Sequence, residues 1–358
     1  MMAMIDRRRF LVLSLMGAAA VACSRPTNGA STVAVGMTPS ETDVDLGGVT
    51  VRTWAHNGRV PAREIRLRKG QTLRAAVTNK LPDPTTVHWH GLAIPNPMDG
   101  VPVLTQPAIA SGQSFTYEFE PPDSGTYWLH SHVGTQLDRG LYGPLIIEDP
   151  NEKGDYDDEL VVVLDDWIDG TGTNPDQVLE NLKKNGMAKM GPADPSAGVT
   201  PTTPLGDDGG DVTYPYYLIN GRVTKDPQVV DYPAGARIRL RVINAASDTA
   251  FRVAVPGTAM TVTHTDGFPV VARQTDSVIL GMGERVDATI TLNTSAGDRR
   301  GRAQGRLRPA EPARERSAQH RQRRPVRRDA AKRGCAEHGR PGCRTAGATA
   351  ATQSGPDV

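Results

Sequence analysis

Short apolar runs separated by turn residues recur between residues 49 and 271, and this texture predicts an all-β protein. In Ser114–Phe119 apolar and polar residues alternate, which places the three aromatic side chains on one face of a strand. Leu145–Glu148 and Leu160–Leu164 are almost continuously apolar, as in strands whose two faces are both buried. One short helix is expected at Pro175–Lys184, inside a long loop rich in Gly, Pro and Asp.

A weak internal repeat indicates two copies of one unit. The segment Ile65–Asn79 reads as a strand, a glycine turn, a second strand and an asparagine, and Val229–Asn244 reads the same way. Two β-sandwiches would explain the repeat. We therefore expect Greek-key sandwiches over residues 40–150 and 155–297.

The N-terminus resembles an export signal. A basic stretch at residues 7–9 precedes a 13-residue apolar run, Phe10–Ala22, which is too short to span a bilayer. The arginines have twin-arginine character, and Cys23 follows small residues as in a lipobox, which predicts a membrane-lipid anchor. An ordinary cleaved signal with an incidental cysteine is the alternative. Residues 1–23 are thus interpreted as the signal and residues 24–39 as a tether.

The last 60 residues differ sharply from the rest. Residues 299–358 hold 16 basic and 5 acidic groups, which leaves 25 basic and 35 acidic groups before them. An acidic body does not favour nucleic acid as a partner. The tail, residues 298–358, is poor in apolar residues and should be disordered. Its Arg, Ala, Gly and Pro are encoded by codons of G and C alone, which favours a frameshift near residue 298 over a genuine basic tail or a nucleic-acid arm.

The positions of the cysteines exclude a disulfide framework and a cysteine zinc site within the main part of the chain. The three cysteines are Cys23, Cys335 and Cys343, so none lies between residues 24 and 334. A disulfide framework is therefore excluded there, and the paired spacing of a zinc site is also absent.

Two His-x-His pairs are the strongest chemical signal: His88 with His90, and His130 with His132. Alternate residues of a strand point to the same face, about 6.6 Å apart at ~3.3 Å per residue. If the two strands are neighbours, four imidazoles converge on one place. Neutral imidazole suits copper and zinc. A single such pair is usually incidental, but two pairs among eight histidines are hard to dismiss.

The flanks of these pairs carry a family resemblance. Pro84–Leu92 and Gly125–Gln136 resemble the first two copper motifs of multicopper oxidases, and Leu141–Asp149 resembles the segment that closes their first domain. Tyr216–Asn220 and Thr263–Val270 resemble their second domain. The resemblance implies tandem cupredoxin-like Greek-key β-sandwiches, an oxidoreductase function and a copper cofactor.

Residue roles follow from the same resemblance. His88 would bind the type 2 copper, His90 and His130 one type 3 copper, and His132 the other. Asp99 matches the family's acidic residue, which hydrogen-bonds near the type 2 copper and helps to supply protons for oxygen reduction. A plain turn residue before Gly100 is the alternative for Asp99.

Four other residues are interpreted as structural. Trp89 and Trp128 are expected to pack against the sandwich, His56 to lie in a turn, and His264 to have no ligand role.

The chain also departs from the family. The later motifs His-x-x-His-x-His and His-Cys-His, the second of which supplies the type 1 copper thiolate, are absent. We expect that a third domain is lost. The main hypothesis is a truncated oxidase whose full form couples oxidation of phenols or Cu(I) to reduction of O2. The alternative is a non-enzymatic, exported copper-binding lipoprotein. A two-domain laccase would need His-Cys-His within residues 160–297, where it is missing.

Overall fold

A computed structural model describes residues 31–152, 154–186 and 210–292, together with the backbone of residues 302–306. Nine strands form the first domain: β1 (Thr32–Met37), β2 (Pro39–Asp45), β3 (Thr50–His56), β4 (Ile65–Arg68), β5 (Thr72–Thr78), β6 (His88–His90), β7 (Ser114–Phe119), β8 (Gly125–His130) and β9 (Tyr142–Glu148). Short 3-10 turns lie at Asn96–Met98 and Leu137–Arg139.

Two sheets of the first domain pack face to face. One has the order β1-β5-β7 and the other the order β4-β9-β8-β6, while β2 and β3 pair separately. The pairs β1–β5 and β4–β9 are parallel, and the remaining pairs of these two sheets are antiparallel. Leu73 and Val77 from one sheet meet Leu129 and Leu145 from the other in a single buried cluster. This packing fixes the position of β6 and β8, which contain the His-x-His pairs.

Eleven strands lie in the second domain: β10 (Asp158–Trp167), β11 (Tyr216–Ile219), β12 (Arg222–Val223), β13 (Val229–Pro233), β14 (Arg237–Asn244), β15 (Phe251–Val253), β16 (Met260–Thr265), β17 (Phe268–Thr275), β18 (Val278–Leu280), β19 (Arg285–Thr291) and β20 (Arg302–Arg306). A seven-stranded sheet has the order β12-β11-β10-β14-β19-β16-β17, and β13–β20 and β15–β18 form two ribbons. The all-β prediction is confirmed.

A single α-helix occurs among the described residues, α1 at Pro175–Asn185, in the predicted place. Its start follows from local chemistry, because the side chain of Asn174 accepts a hydrogen bond from the backbone of Gln177 and a proline occupies the first turn. No helix in the described ranges is long and apolar enough to cross a membrane.

The two domains share a buried interface. One apolar cluster combines Trp128 and Tyr142 of the first domain with Val163, Trp167 and Ile243 of the second. Beside it, the carboxylate of Asp287 on β19 accepts hydrogen bonds from two buried arginines of β14 and from Thr126 of β8. Apolar burial and a charge network therefore hold the domains together.

Two predicted boundaries are corrected. The tether predicted at residues 24–39 ends earlier, because β1 begins at Thr32 and pairs in parallel with β5. Residues 302–306, inside the tail predicted to be disordered, form β20 against β13. The prediction of disorder rested on the lack of apolar side chains. A strand is held by backbone hydrogen bonds, which do not depend on side-chain composition. The predicted export signal, residues 1–23, and the rest of the tail lie outside the described residues.

Candidate metal centre

The register of β6 against β8 brings the two His-x-His pairs together. These strands are antiparallel, with His88 opposite His130 and His90 opposite Trp128. His88 and His90 leave one face of the sheet, while Trp89 between them points into the core and is fully buried. Alternation along a strand thus separates the packing residue from the candidate ligands. His132 lies beyond the end of β8, where its backbone amide donates to the hydroxyl of Thr86.

The four imidazole rings form a compact group. Ring centroids are 5.2 Å apart for His88 with His130, 5.2 Å for His88 with His132, and 5.5 Å for His90 with His130. Nitrogen atoms of His88, His90 and His130 all lie within 4.8 Å of one another, a spacing that suits a shared metal ion. His132 is exposed and lies at the edge of this group, its ring 5.8 Å from that of His130. All four predicted histidines are therefore neighbours, and three are close enough to act on one ion.

Backbone carbonyls set which ring nitrogens are free. The Nδ1 atom of His88 lies 2.7 Å from the carbonyl oxygen of Asp99, and Nδ1 of His130 lies 2.8 Å from that of Ser131. A carbonyl oxygen can only accept, so both Nδ1 atoms carry the proton. The Nε2 atoms of His88 and His130 are consequently left with free lone pairs. This is the arrangement found for histidines that bind metals in proteins.

Burial keeps the central imidazoles neutral. It lowers the pKa of His130 to about 3, with the nearby histidines adding to the effect, although the hydrogen bond to Ser131 opposes it. Burial also lowers the pKa of His90 to about 4, and the positive charge of Arg285 contributes. Both rings therefore remain unprotonated at neutral pH, the state in which a histidine can bind a metal.

Asp99 lies beside His88, and its backbone makes a closer contact with that ring than its side chain does. Its carboxylate Oδ1 is 3.4 Å from Nδ1 of His88, against 2.7 Å for its carbonyl oxygen. Gly100 makes this approach possible, because an added Cβ would lie 1.9 Å from the carbonyl oxygen of Val87. The side chain of Asp99 is 28% exposed, so it connects His88 with solvent.

Trp128 has a larger part in the site than the sequence analysis assigned to it. The ring packs in the interface between the domains, and it also stacks on His90 and His130 at centroid distances of 4.8 and 4.4 Å. Trp128 lies two residues before His130 on β8, and the period of two could have revealed that both side chains share a face. By contrast Trp89 lies wholly in the core of the first domain, as predicted.

A hydrogen-bond network supports the loop after β8. The side-chain oxygen of Gln136 accepts from the hydroxyls of Thr85 and Ser131, at 2.7 Å each, and all three residues are buried. Ser131 lies between the two histidines of its pair, so this network fixes the exit of the chain from His130. Sequence reasoning missed these residues because polar loop residues give no periodic signal.

The remaining histidines of the described ranges lie apart from the cluster. His56 begins the predicted turn, whose central residues Asn57 and Gly58 both have positive φ, but its ring is buried. His264 on β16 lies 3.6 Å from the carboxylate of Glu152 and contacts the hydroxyl of Thr263. Neither belongs to the group that could hold a metal.

The fold and the histidine group define a class: tandem β-sandwiches whose first member has a polyhistidine centre. Comparison with known proteins agrees, since residues 38–152 and 158–304 each match a family model described as multicopper oxidase. The chain belongs to the multicopper oxidase family. The second match runs past residue 297, where the second domain was predicted to end.

Named relatives and solved structures support this assignment. Multicopper oxidase MmcO of Mycobacterium tuberculosis is 46% identical over 277 residues, covering 76% of this chain and 54% of MmcO. Copper resistance protein A of Escherichia coli is 32% identical, covering 76% and 49%. The crystal structure of the blue copper oxidase from Nitrosomonas europaea has a TM-score of 0.60 and 30% identity, covering 74% and 77%. The chain spans about half the length of the curated relatives that it matches.

Proposed function

We propose that this chain is the copper-binding, oxygen-reducing part of an exported multicopper oxidase, and that His88, His90, His130 and His132 hold the copper. In the whole protein the reaction would couple one-electron oxidation of a small reductant to the reduction of O2 to water. Copper bound at this centre would supply the one-electron steps and the binding of oxygen.

One observation supports the copper site above all others. The Nδ1 atom of His90 and the Nε2 atom of His130 lie 3.2 Å apart. Two imidazole nitrogens that lie about 2.0 Å from one ion, at a tetrahedral angle, are about 3.3 Å apart. The nitrogens already have the separation of two ligands of a single ion. This agrees with the family pattern, in which both residues would bind the same type 3 copper.

The other assignments rest on neighbouring geometry. His88 presents Nε2 on the opposite side of its ring from the carbonyl of Asp99, as a ligand of the type 2 copper would. His132, exposed at the edge, would bind the second type 3 copper. The carboxylate of Asp99 would pass protons from solvent towards the oxygen being reduced, because it is partly exposed and adjoins His88.

Substrate oxidation needs more than these two domains. Residues 24–334 contain no cysteine, and a type 1 copper site requires a cysteine thiolate. We therefore infer that the chain alone binds copper without catalysing substrate oxidation. The names of the relatives, copper resistance protein and laccase, suggest Cu(I) or a phenol as the reductant of the whole protein.

Copper titration of the purified chain tests the site. The unmodified chain should bind copper without an intense blue absorption band and without oxygen consumption in the presence of a phenol. His130→Ala should reduce copper affinity at least about tenfold. His264→Ala is the matched control, since it removes a partly buried histidine outside the cluster. Equal copper affinity in both variants would refute the site, and catalytic oxygen uptake by the unmodified chain would refute the need for further residues.

Two inferences about the gene product accompany this function. The proposed export signal rests on the basic and apolar N-terminal residues, and the proposed anchor rests on the small residues before Cys23. Replacing Cys23 by Ser should release the protein from membranes, and unchanged partitioning would exclude the anchor. A frameshift near residue 298 remains our interpretation of the tail. It requires that another frame of the gene encodes His-Cys-His, and translation of that region decides the point.

A further inference from the structure

The second domain contributes no histidine to the cluster, yet one of its segments lies against His90 and another packs against β8, the strand that contains His130. One is the loop Gly281–Glu284, between β18 and β19, and the other is the turn at Asp266 and Gly267, between β16 and β17. Arg285, the first residue of β19, lies between them and is 5% exposed. The family resemblance gave none of these residues a role.

The loop lies against the ring of His90. A Cβ atom added at Gly283 would lie 3.0 Å from Cε1 and 3.3 Å from Nε2 of His90, and 3.9 Å from the ring of Trp128. The ring of His90 is thus enclosed by Trp128, stacked on its face, and by the backbone of Gly283 at its edge. The Nδ1 edge of His90 faces Nε2 of His130, at 3.2 Å. The rotation of this ring is therefore set by contacts from the second domain as well as by its own strand.

Arg285 fastens this loop to the strand that contains His130. Its Nε donates to the carbonyl oxygen of Thr126 on β8, its Nη1 to that of Gly283, and its Nη2 to that of Asp266, at 2.9 to 3.2 Å. A salt bridge of 3.2 Å to the carboxylate of Asp266 adds to these bonds. One rigid guanidinium thus joins both segments of the second domain to the first domain.

Glycines in both domains make this close packing possible. Gly91 follows His90 directly, and a Cβ there would lie 2.4 Å from Nη2 of Arg285. At Gly125, the start of β8, a Cβ would lie 2.4 Å from the carbonyl oxygen of Gly267. Side chains at these positions would push the second domain away from the cluster. The contact is therefore built into the sequences of both domains.

We propose that the second domain positions the copper ligand His90, through the backbone of Gly283 and the guanidinium of Arg285. This inference rests on the proposed copper site. It means that the orientation of His90, in the first domain, depends on contacts from the second domain. Gly283 and Arg285 are positioning residues, since neither offers a ligand atom to the cluster.

Gly283→Ala is the direct test, and Gly235→Ala is its matched control. Both glycines lie in the second domain, with φ of +81° and +79°, but a Cβ at Gly235 meets nothing within 4 Å. The two variants therefore share the backbone strain and differ in the clash with His90. In competition with a chromophoric chelator, Gly283→Ala should bind cupric ion about tenfold more weakly than the unmodified chain. Gly235→Ala should stay within about twofold.

A second variant and a measurement without metal separate a local effect on His90 from a general loss of stability. Arg285→Lys keeps the positive charge but cannot reach all three carbonyl oxygens, so it should also weaken copper binding. In the metal-free protein, the ring nitrogen resonances of His90 should shift in Gly283→Ala but not in Gly235→Ala, while those of His264 should stay constant. Unchanged His90 resonances would overturn the proposal. If the unmodified chain binds no copper, the proposed function fails, yet the resonances still decide whether the second domain orients this ring.

Discussion

The two domains share one half of their architecture and differ in the other. In the first domain β1, β5 and β7 lie side by side, and in the second β10, β14 and β19 do the same. In both sets the first pair of strands is parallel and the second pair is antiparallel. The preceding turns also match, since Gly70 and Gly235 both have positive φ near +80°. The predicted internal repeat is therefore present in three dimensions.

Each domain has a buried asparagine at the end of the second strand of the shared set: Asn79 follows β5, and Asn244 is the last residue of β14. Asn79 accepts from the backbone amide two residues later and donates to two carbonyl oxygens, one of them that of Ile109. Asn244 does the same with the amide of Ala246, and one of its two acceptors is Leu280. Equivalent hydrogen bonds at equivalent positions indicate that this half serves folding, because only one of the two domains contains the histidine cluster.

The other half differs, and it is the half that contains the chemistry. In the first domain β4 pairs in parallel with β9, in the four-stranded sheet that contains all the β6 and β8 histidines. Its counterpart β13 pairs antiparallel with β20, and the described part of the second domain shows no equivalent four-stranded sheet. One scaffold therefore serves two purposes: the first domain contains the histidine cluster, and the second provides a surface that packs against it.

The largest expected effect concerns that supporting surface. Asp287 is 1% exposed and pairs with Arg239 and Arg241, which are each 3% exposed, at 2.7 and 3.0 Å. Asp287→Asn keeps the shape but removes the charge that both guanidinium groups share. We expect a loss of about 3 kcal/mol in the free energy of unfolding, because the charges stay buried with less compensation. Urea denaturation measures this loss.

Asp231→Asn is the control for that experiment. Asp231 is also in the second domain, on β13, but it is exposed. Its replacement should change the free energy of unfolding by less than about 0.5 kcal/mol. If the two variants unfold at the same urea concentration, the buried charge network of Asp287 does not stabilise the protein.

Sequence reasoning reached the sandwiches and the histidines because both depend on local patterns. Alternation predicted β7 and continuous apolar runs predicted β9 and β10, and the spacing of His88 and His90 placed both on one face. The contacts of Gly283 and Arg285 with the cluster join residues far apart in the sequence, and no periodicity reports them. The strand at 302–306 was missed for a different reason: its pairing depends on the backbone of β13, not on its own composition.

The asparagines give a sharper test of the shared half. Asn79→Ala and Asn244→Ala each remove three hydrogen bonds of a buried asparagine and leave partners unsatisfied, so each should cost about 2 kcal/mol of unfolding free energy. Both variants should also weaken copper binding in a chelator competition. Ile109, an acceptor of Asn79, pairs with the backbone of Thr85, three residues before His88. Leu280, an acceptor of Asn244, directly precedes the loop that contains Gly283. Unchanged copper affinity in Asn244→Ala would contradict the support of His90 by the second domain.

The smallest expected effect is a pH dependence at the interface, where none of the described residues gives Asp138 a positive partner equivalent to those of Asp287. Burial, with the nearby charge of Asp166, raises the pKa of Asp138 to about 7, although a hydrogen bond from Tyr214 of the second domain opposes the shift. The unfolded value is 3.8, so the native state binds the proton more tightly. Its stabilising contribution is full below pH 4 and falls as the pH rises through 7.

Asp138→Asn should remove this dependence. Between pH 6 and pH 8 the unmodified chain should lose about 1 kcal/mol of unfolding free energy through this group, because part of the proton is released over that interval. Over the same interval, the unfolding free energy of Asp138→Asn should fall by about 1 kcal/mol less than that of the unmodified chain, since an amide does not titrate. Asp176→Asn is the matched control, because hydrogen bonds from Thr135 and Arg139 outweigh its burial and lower the pKa of Asp176. That group is ionised throughout the interval, so its replacement should leave the slope unchanged. Parallel stability curves for the unmodified chain and Asp138→Asn would mean that Asp138 is already ionised in the native interface, and that both domains tolerate an unpaired charge between them.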